Sequence, residues 1–297
     1  MAFFLFPGRG NQPPGIGRDF YEGSKVVRDT LDEAEALCLP GLAKTLFDGP
    51  QEALTRSIAG QVGILVLQIA IARHMQARGH AASGCAGHSL GEVGALVTAG
   101  AVDFDVAVRH ARLRAELTAE LVPEGGMLAV LGLPATVIER VLPEDVQIAN
   151  YNGPLQTVVS GTFPALQEAA DLLKKAGAKR VIPLKVPRPF HCKHMAPAAE
   201  AFREALARAP VRAPRVRFIS SVKGAEVSDP EELRDLIYKQ FTSPVRWTEV
   251  MQLIGPVRAF ELGPGRVLEG VAKRIEGAPL IENAGSLELA NALPVEA

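Results

Sequence analysis

Ser89 stands in the run Gly87-His88-Ser89-Leu90-Gly91, with Glu92 directly behind it. The spacing Gly-x-Ser-x-Gly suits a nucleophilic serine at a sharp strand-to-helix turn: the glycines admit strained backbone, and the hydroxyl is pushed out at the edge of the sheet. Context has to decide. Residues 81–86 offer a short strand of small residues, and residues 91–99 read as a helix stopped by Gly100. The same five residues also suit an ordinary glycine-rich turn carrying a solvated serine.

Two further side chains can do chemistry. His191 lies in Val186-Pro187-Arg188-Pro189-Phe190-His191-Cys192-Lys193-His194, where two prolines enforce a rigid non-helical entry into a helix over about 197–207. An imidazole on a stiff loop suits a general base, because its ordinary pKa near 6.5 lets it take and return a proton at neutral pH. His194 competes for that role. Arg114 interrupts a helix over 104–121: Ala107, Ala111, Thr118 and Leu121 share its stripe, whereas Arg112, about 200° away, points elsewhere. A cation on an inward face requires a carboxylate. A protein acid could meet it, or the side chain could reach out to water.

The remaining chain supplies elements to position these groups. Residues 2–6 are a continuous apolar run, read as a buried first strand, and residues 7–15 form a Pro/Gly-rich loop with exposed amides at its end. Helices are expected over 21–36, 41–47 and 61–78. From Gly126 the order changes to strand 127–133, helix 135–141, strand 146–150, strand 156–160, helix 164–176 and strand 180–186, a split βαββαβ pattern. Residues 124–186 therefore read as a small subdomain set into a larger one spanning 1–123 and 187–297, with a cleft between them. Strand 215–222, helix 230–240, helix 248–254, strand 258–262 and helix 267–275 complete an alternation typical of a parallel sheet. The tail after Asn283 reads as loosely attached.

Composition narrows the classes. The 297 residues are ample for a large core, and 32 basic against 33 acidic side chains give no broad field for nucleic acid. Three widely spaced cysteines, Cys38, Cys85 and Cys192, fit a reduced cytoplasmic protein, and no zinc site is legible. No apolar run in the sequence is expected to approach the roughly 20 residues of a membrane span.

With Phe6-Pro7-Gly8-x-Gly10-x-Gln12, Gly87-His88-Ser89-Leu90-Gly91-Glu92, Arg114, Pro189-Phe190-His191-Cys192, Pro244-Val245-Arg246-Trp247 and Gly263-Pro264-Gly265 in this order, the chain resembles the malonyl-CoA:acyl carrier protein transacylases, including acyltransferases of polyketide synthases. The resemblance runs from about residue 3 to 280. It implies an α/β fold with an α/β-hydrolase-like parallel-sheet core and an inserted ferredoxin-like subdomain. It also implies a ping-pong transfer: Ser89 attacks the thioester of an acyl-CoA such as malonyl-CoA with His191 as base, and the phosphopantetheine thiol of an acyl carrier protein then takes the acyl group. The histidine would be oriented by a backbone carbonyl, here that of Gln240. The oxyanion would be met by the amides of Arg9 and Leu90, Arg114 would clamp the malonyl carboxylate, and His88 and Gln61 would line the pocket. No bound cofactor, metal, nucleic acid or membrane is implied, and a cytoplasmic monomer in fatty acid or polyketide biosynthesis is expected.

Two departures stand out. Arg9 occupies a position where the family normally has Gln, and the family's Arg-Gly and Met-Gln pairs are here Arg114-Ala115 and Thr118-Ala119. The nearest alternative is an acyl hydrolase of the same fold acting on carrier proteins, although a hydrolase of uncharged chains has no use for a buried arginine. A binding module without catalysis would not need Ser89 and His191. Lys185, Arg188 and Lys193 form a basic rim that could meet an acidic carrier protein or simply be solvated.

Overall fold

The computed structural model describes residues 1–9, 14–56 and 58–295. Gly10 and Gln12 of the first-loop motif lie outside the described residues. In chain order the strands are β1 (Ala2–Phe6), β2 (Ala82–Gly87), β3 (Gly125–Leu131), β4 (Val146–Gly153), β5 (Gln156–Thr162), β6 (Arg180–Pro183), β7 (Arg217–Ser220), β8 (Ala225–Glu226), β9 (Arg258–Glu261) and β10 (Leu280–Asn283). They form two sheets, ordered β10-β9-β1-β2-β7-β8 and β4-β5-β3-β6. The chain is thus mixed α/β.

The larger sheet is parallel from β10 through β7, with β8 added antiparallel. All five residues of β1 are buried, which explains its unbroken apolar run: helices cover both faces, so no position is left for a polar side chain. Its neighbour β2 is built instead from small residues. At Gly84 any Cβ would meet the Phe3 ring and, at 2.9 Å, the Arg217 carbonyl.

One face is organised around the helix Ile58–Ala77, apolar on all sides and packed against the helices Lys25–Cys38, Leu42–Asp48, Gly91–Thr98 and Phe104–Leu121. This corrects the expectation that no apolar run approaches membrane-span length. The helix has 20 residues and a composition sufficient to cross a bilayer, but 78% of its most apolar window is buried within the protein.

The smaller sheet is antiparallel throughout. Helices Ala135–Val141 and Phe163–Lys175 cover one face through Leu128, Val130, Ile138, Val159, Leu166 and Leu173. Met127, Ala149 and Val158 belong to the other face, packed towards Val186 and Phe190. Backbone bonds from Tyr151 to Val245 (2.8 Å) and from Val245 to Ala149 (2.8 Å) tie β4 to the segment that follows Gln240.

Some boundaries differ from expectation for physical reasons. The helix expected over 21–36 is two helices, Arg18–Gly23 and Lys25–Cys38, because Ser24 is extended and its hydroxyl caps the second by accepting from Val27. The last small-sheet strand ends at Pro183, not at Val186. The tail is not loose. Ala284 and Ala290 are fully buried, the Leu287 amide donates to Asp19 at 2.6 Å, and Arg78 donates to the carbonyls of Ala290 and Asn291.

Candidate active site

The strand β2 ends at Gly87 and the helix Gly91–Thr98 begins at Gly91, leaving three residues to reverse the chain. Both glycines are sterically required. A Cβ on Gly87 would strike the backbone of Gly91 and Glu92, and one on Gly91 would strike the Phe6 carbonyl and lie 2.7 Å from that of Pro7. The turn therefore packs directly on the end of β1, and the His88 amide donates to Phe6 at 2.9 Å. Ser89 is forced to φ 54°, a left-handed conformation that costs a residue with a Cβ roughly 1–3 kcal/mol. His191 shares this feature at φ 59°, and among the described residues these two are the only non-glycine residues with positive φ.

They also meet. Ser89 Oγ lies 2.6 Å from His191 Nε2, and His191 Nδ1 lies 3.0 Å from the carbonyl oxygen of Gln240. A carbonyl oxygen can only accept, so Nδ1 carries the proton and Nε2 presents its lone pair to the serine hydroxyl. No acid is needed to set this tautomer. Burial, followed by the charge of Arg114 and the proximity of His88, lowers the His191 pKa to about 3, so the ring is neutral at physiological pH. His194 is elsewhere, beside Asp145, with its Nε2 3.2 Å from that residue's carbonyl.

The first loop is held against this pair. Gln68, buried on the core helix, donates from Nε2 to the Pro7 carbonyl at 2.7 Å. Gly8 then passes so close to the elbow that a Cβ there would lie 3.0 Å from His88 Nδ1. Arg9 follows and stacks its guanidinium on the Phe190 ring, 4.8 Å from the centroid. Gly8, Arg9, Gln61, His88, Ser89, Leu90, Arg114 and His191 all line one cleft of about 300 Å³, closed on its far side by Met127, Ala129 and Val158 of the small sheet.

Arg114 faces this cleft, which answers the question raised by its helical stripe. Its Nη1 donates to Gln240 Oε1 at 2.9 Å and its guanidinium lies 4.8 Å from the centre of the Phe241 ring. No protein carboxylate is bonded to it among the described residues. Burial lowers its pKa to about 10, opposed by the negative charge of Glu92, and it stays cationic at neutral pH.

His88 is turned by Asn152, whose Oδ1 lies 2.8 Å from Nε2, and packs edge-on against Trp247. Of the three departures on the arginine helix, Ala115 and Thr118 line the cleft. Of the basic rim, Lys193 is paired with Asp145 at 3.1 Å and Arg188 donates to the Ala119 carbonyl, while Lys185 is exposed.

Sequence reasoning gave no role to Gln68 or Asn152, and it quoted Glu92 behind Ser89 without a role for it or for Ser220 and Ser221. The Glu92 carboxylate is buried and accepts from Ser220 Oγ at 2.7 Å, from Ser221 Oγ at 2.5 Å and from Gln240 Nε2 at 3.2 Å; burial raises its pKa. One signal was legible: Glu92 is the lone charge in an otherwise apolar helix.

Residues 3–269 match the acyl transferase domain family. The malonyl CoA-acyl carrier protein transacylase of Bacillus subtilis (strain 168) is 38% identical over 283 residues, covering 92% of this chain and 89% of that protein. The chain belongs to the malonyl CoA-acyl carrier protein transacylase family. A second member from the same organism, a polyketide biosynthesis malonyl CoA-acyl carrier protein transacylase, is 32% identical and covers 93% of this chain and 97% of its own length. Among solved structures, a malonyl-transacylase in complex with its type II polyketide synthase acyl-carrier protein superimposes with a TM-score of 0.92 at 35% identity, covering 98% of each chain. This transacylase family member is an acyltransferase, and the fold it shares with those structures is the mixed α/β arrangement described above.

Proposed function

We propose that this acyltransferase moves a malonyl group from CoA to the phosphopantetheine thiol of an acyl carrier protein through an ester on Ser89. The observation that carries the reading is the Ser89–His191–Gln240 carbonyl relay, at 2.6 and 3.0 Å, opening on a cleft that also holds Arg114, to which no carboxylate is bonded among the described residues. Ser89 Oγ attacks the thioester carbon while its proton passes to His191 Nε2. A C–O bond forms, the C–S bond breaks, and His191 returns the proton to the departing CoA sulfur. The second half reverses the sequence with the carrier thiol as nucleophile.

Arg9 and Leu90 line the same cleft as Ser89, and no backbone carbonyl among the described residues accepts from either amide, which supports their use as the oxyanion donors. The elbow at the end of β2 supports reading residues 1–123 and 187–297 as a hydrolase-like core. The strand order β4-β5-β3-β6 supports reading 124–186 as a ferredoxin-like subdomain that closes the cleft.

Intact-protein mass after brief incubation with a panel of acyl-CoAs, followed by carrier protein, tests the proposal. A malonyl adduct that is absent from Ser89→Ala and moves to the carrier is expected. An adduct formed only with uncharged acyl groups and lost to water would instead identify a hydrolase.

A further inference from the structure

The cleft contains a second cation that malonyl transfer as derived above does not use. Arg9 lines the same cleft as Arg114 and is half-buried. Like Arg114 it lies over a ring next to a member of the relay, 4.8 Å from the centroid in each case: Arg9 over Phe190, beside His191, and Arg114 over Phe241, beside Gln240. A cation–π contact uses none of the guanidinium N–H groups as hydrogen-bond donors, so they can still meet an anion.

Neither cation is paired with a carboxylate among the described residues. Among the described residues Arg9 makes no ion pair, and burial, followed by the like charge of Arg114, lowers its pKa to about 10. Glu92 acts on Arg114 only at a distance, because its oxygens are taken by Ser220, Ser221 and Gln240. Two like charges held together in a partly desolvated cleft repel each other until an anion arrives. A single carboxylate has about four acceptor sites, more than one guanidinium fork can fill.

Resting on the malonyl-transfer reading, we infer that Arg9 is a second specificity-determining cation which, with Arg114, grips the carboxylate of the acyl group from both sides. The occupant is a carboxyacyl thioester. The phosphates of CoA are the other anionic source, and they are common to every acyl-CoA, so a comparison between acyl groups separates the two.

The test is kcat/KM for loading from malonyl-CoA and from acetyl-CoA in the wild type, Arg9→Gln and Arg9→Lys. The glutamine variant should lose roughly 10- to 100-fold of its malonyl preference, the range expected for one charge-assisted hydrogen-bonded contact. The loss should be at least 10-fold greater for malonyl-CoA than for acetyl-CoA, and an unchanged urea unfolding midpoint reports that the variant is folded. Lysine, keeping the charge without the fork, should retain part of the preference. Equal losses for both acyl groups in both variants would overturn the inference and assign Arg9 to the loop wall or to CoA. A wild type that takes up no malonyl group would defeat the functional reading instead; a wild type that loads malonyl while Arg9→Gln keeps full preference defeats only this inference.

Discussion

Burial of a neutral His191 has a consequence for stability that can be separated from catalysis. The folded pKa is about 3 against an ordinary value of 6.5, with burial as the largest cause and Arg114 the next. Between those values the unfolded chain binds a proton that the folded chain refuses. Stability from this group is therefore complete above pH 6.5 and drains away as pH falls through the window towards 3. At pH 5 the unfolded imidazole is about 97% protonated and the folded one essentially neutral, which amounts to about 2 kcal/mol lost relative to pH 7.5. The figure barely depends on the folded value so long as it lies well below 5. Equilibrium urea unfolding of wild type and His191→Gln at pH 7.5 and 5.0 isolates it, since other titrating groups are common to both proteins. The variant should lose about 2 kcal/mol less than wild type on acidification. Equal losses would mean that His191 titrates normally in the fold and that the neutral dyad drawn above is wrong.

Three other outcomes follow from the geometry. Gly91→Ala places a methyl against the carbonyls of Phe6 and Pro7, backbone that cannot swing aside, so thermal or urea unfolding should show a loss of about 1–3 kcal/mol together with loss of serine acylation. Arg114→Ala should lower kcat/KM for malonyl-CoA about 100-fold while improving tolerance for neutral acyl groups, and equal effects on both would remove its role as a carboxylate partner. Of the basic rim, Lys185 is exposed whereas Lys193 and Arg188 are engaged within the chain. Lys185→Glu should thus raise KM for an acidic carrier protein several-fold without changing acyl-CoA loading, and an unchanged KM removes this surface from docking.

Local chemistry made part of this legible. Gly-x-Ser-x-Gly, the proline-bound His191 and the misplaced Arg114 are each anomalies against secondary-structure rules, and anomalies show in a single sequence. Ser89 and His191 are 102 positions apart, however, and nothing in periodicity says that they lie 2.6 Å apart; only the folded arrangement of the two sheets does. Gln240 was reached through resemblance because its contribution is a backbone carbonyl, which every residue type possesses. The roles of Gln68 and Asn152 were missed for a related reason: a buried amide on an apolar helix, or a half-buried one at a strand end, looks like any tolerated polar residue until its partner is known. The tail beyond Asn283 was misjudged because its anchors, such as Asp19 on the Leu287 amide, come from the opposite end of the chain.

The choice of a carbonyl rather than an acid behind His191 follows from where Arg114 sits. Arg114 Nη1 reaches Gln240 Oε1 at 2.9 Å, so a carboxylate replacing that amide would form an ion pair with the guanidinium and occupy the fork. The backbone carbonyl of Gln240 orients the imidazole and sets its tautomer without supplying a counter-charge. The compensating acid is set one layer back: Glu92 pulls on Arg114 electrostatically, but Ser220, Ser221 and Gln240 Nε2 hold its oxygens away from it. A single glutamine thus separates cation from anion, with Oε1 on Arg114 and Nε2 on Glu92. Its replacement by glutamate would be expected to fill the clamp from within, which is why the fork can stay open for the carboxylate of a substrate.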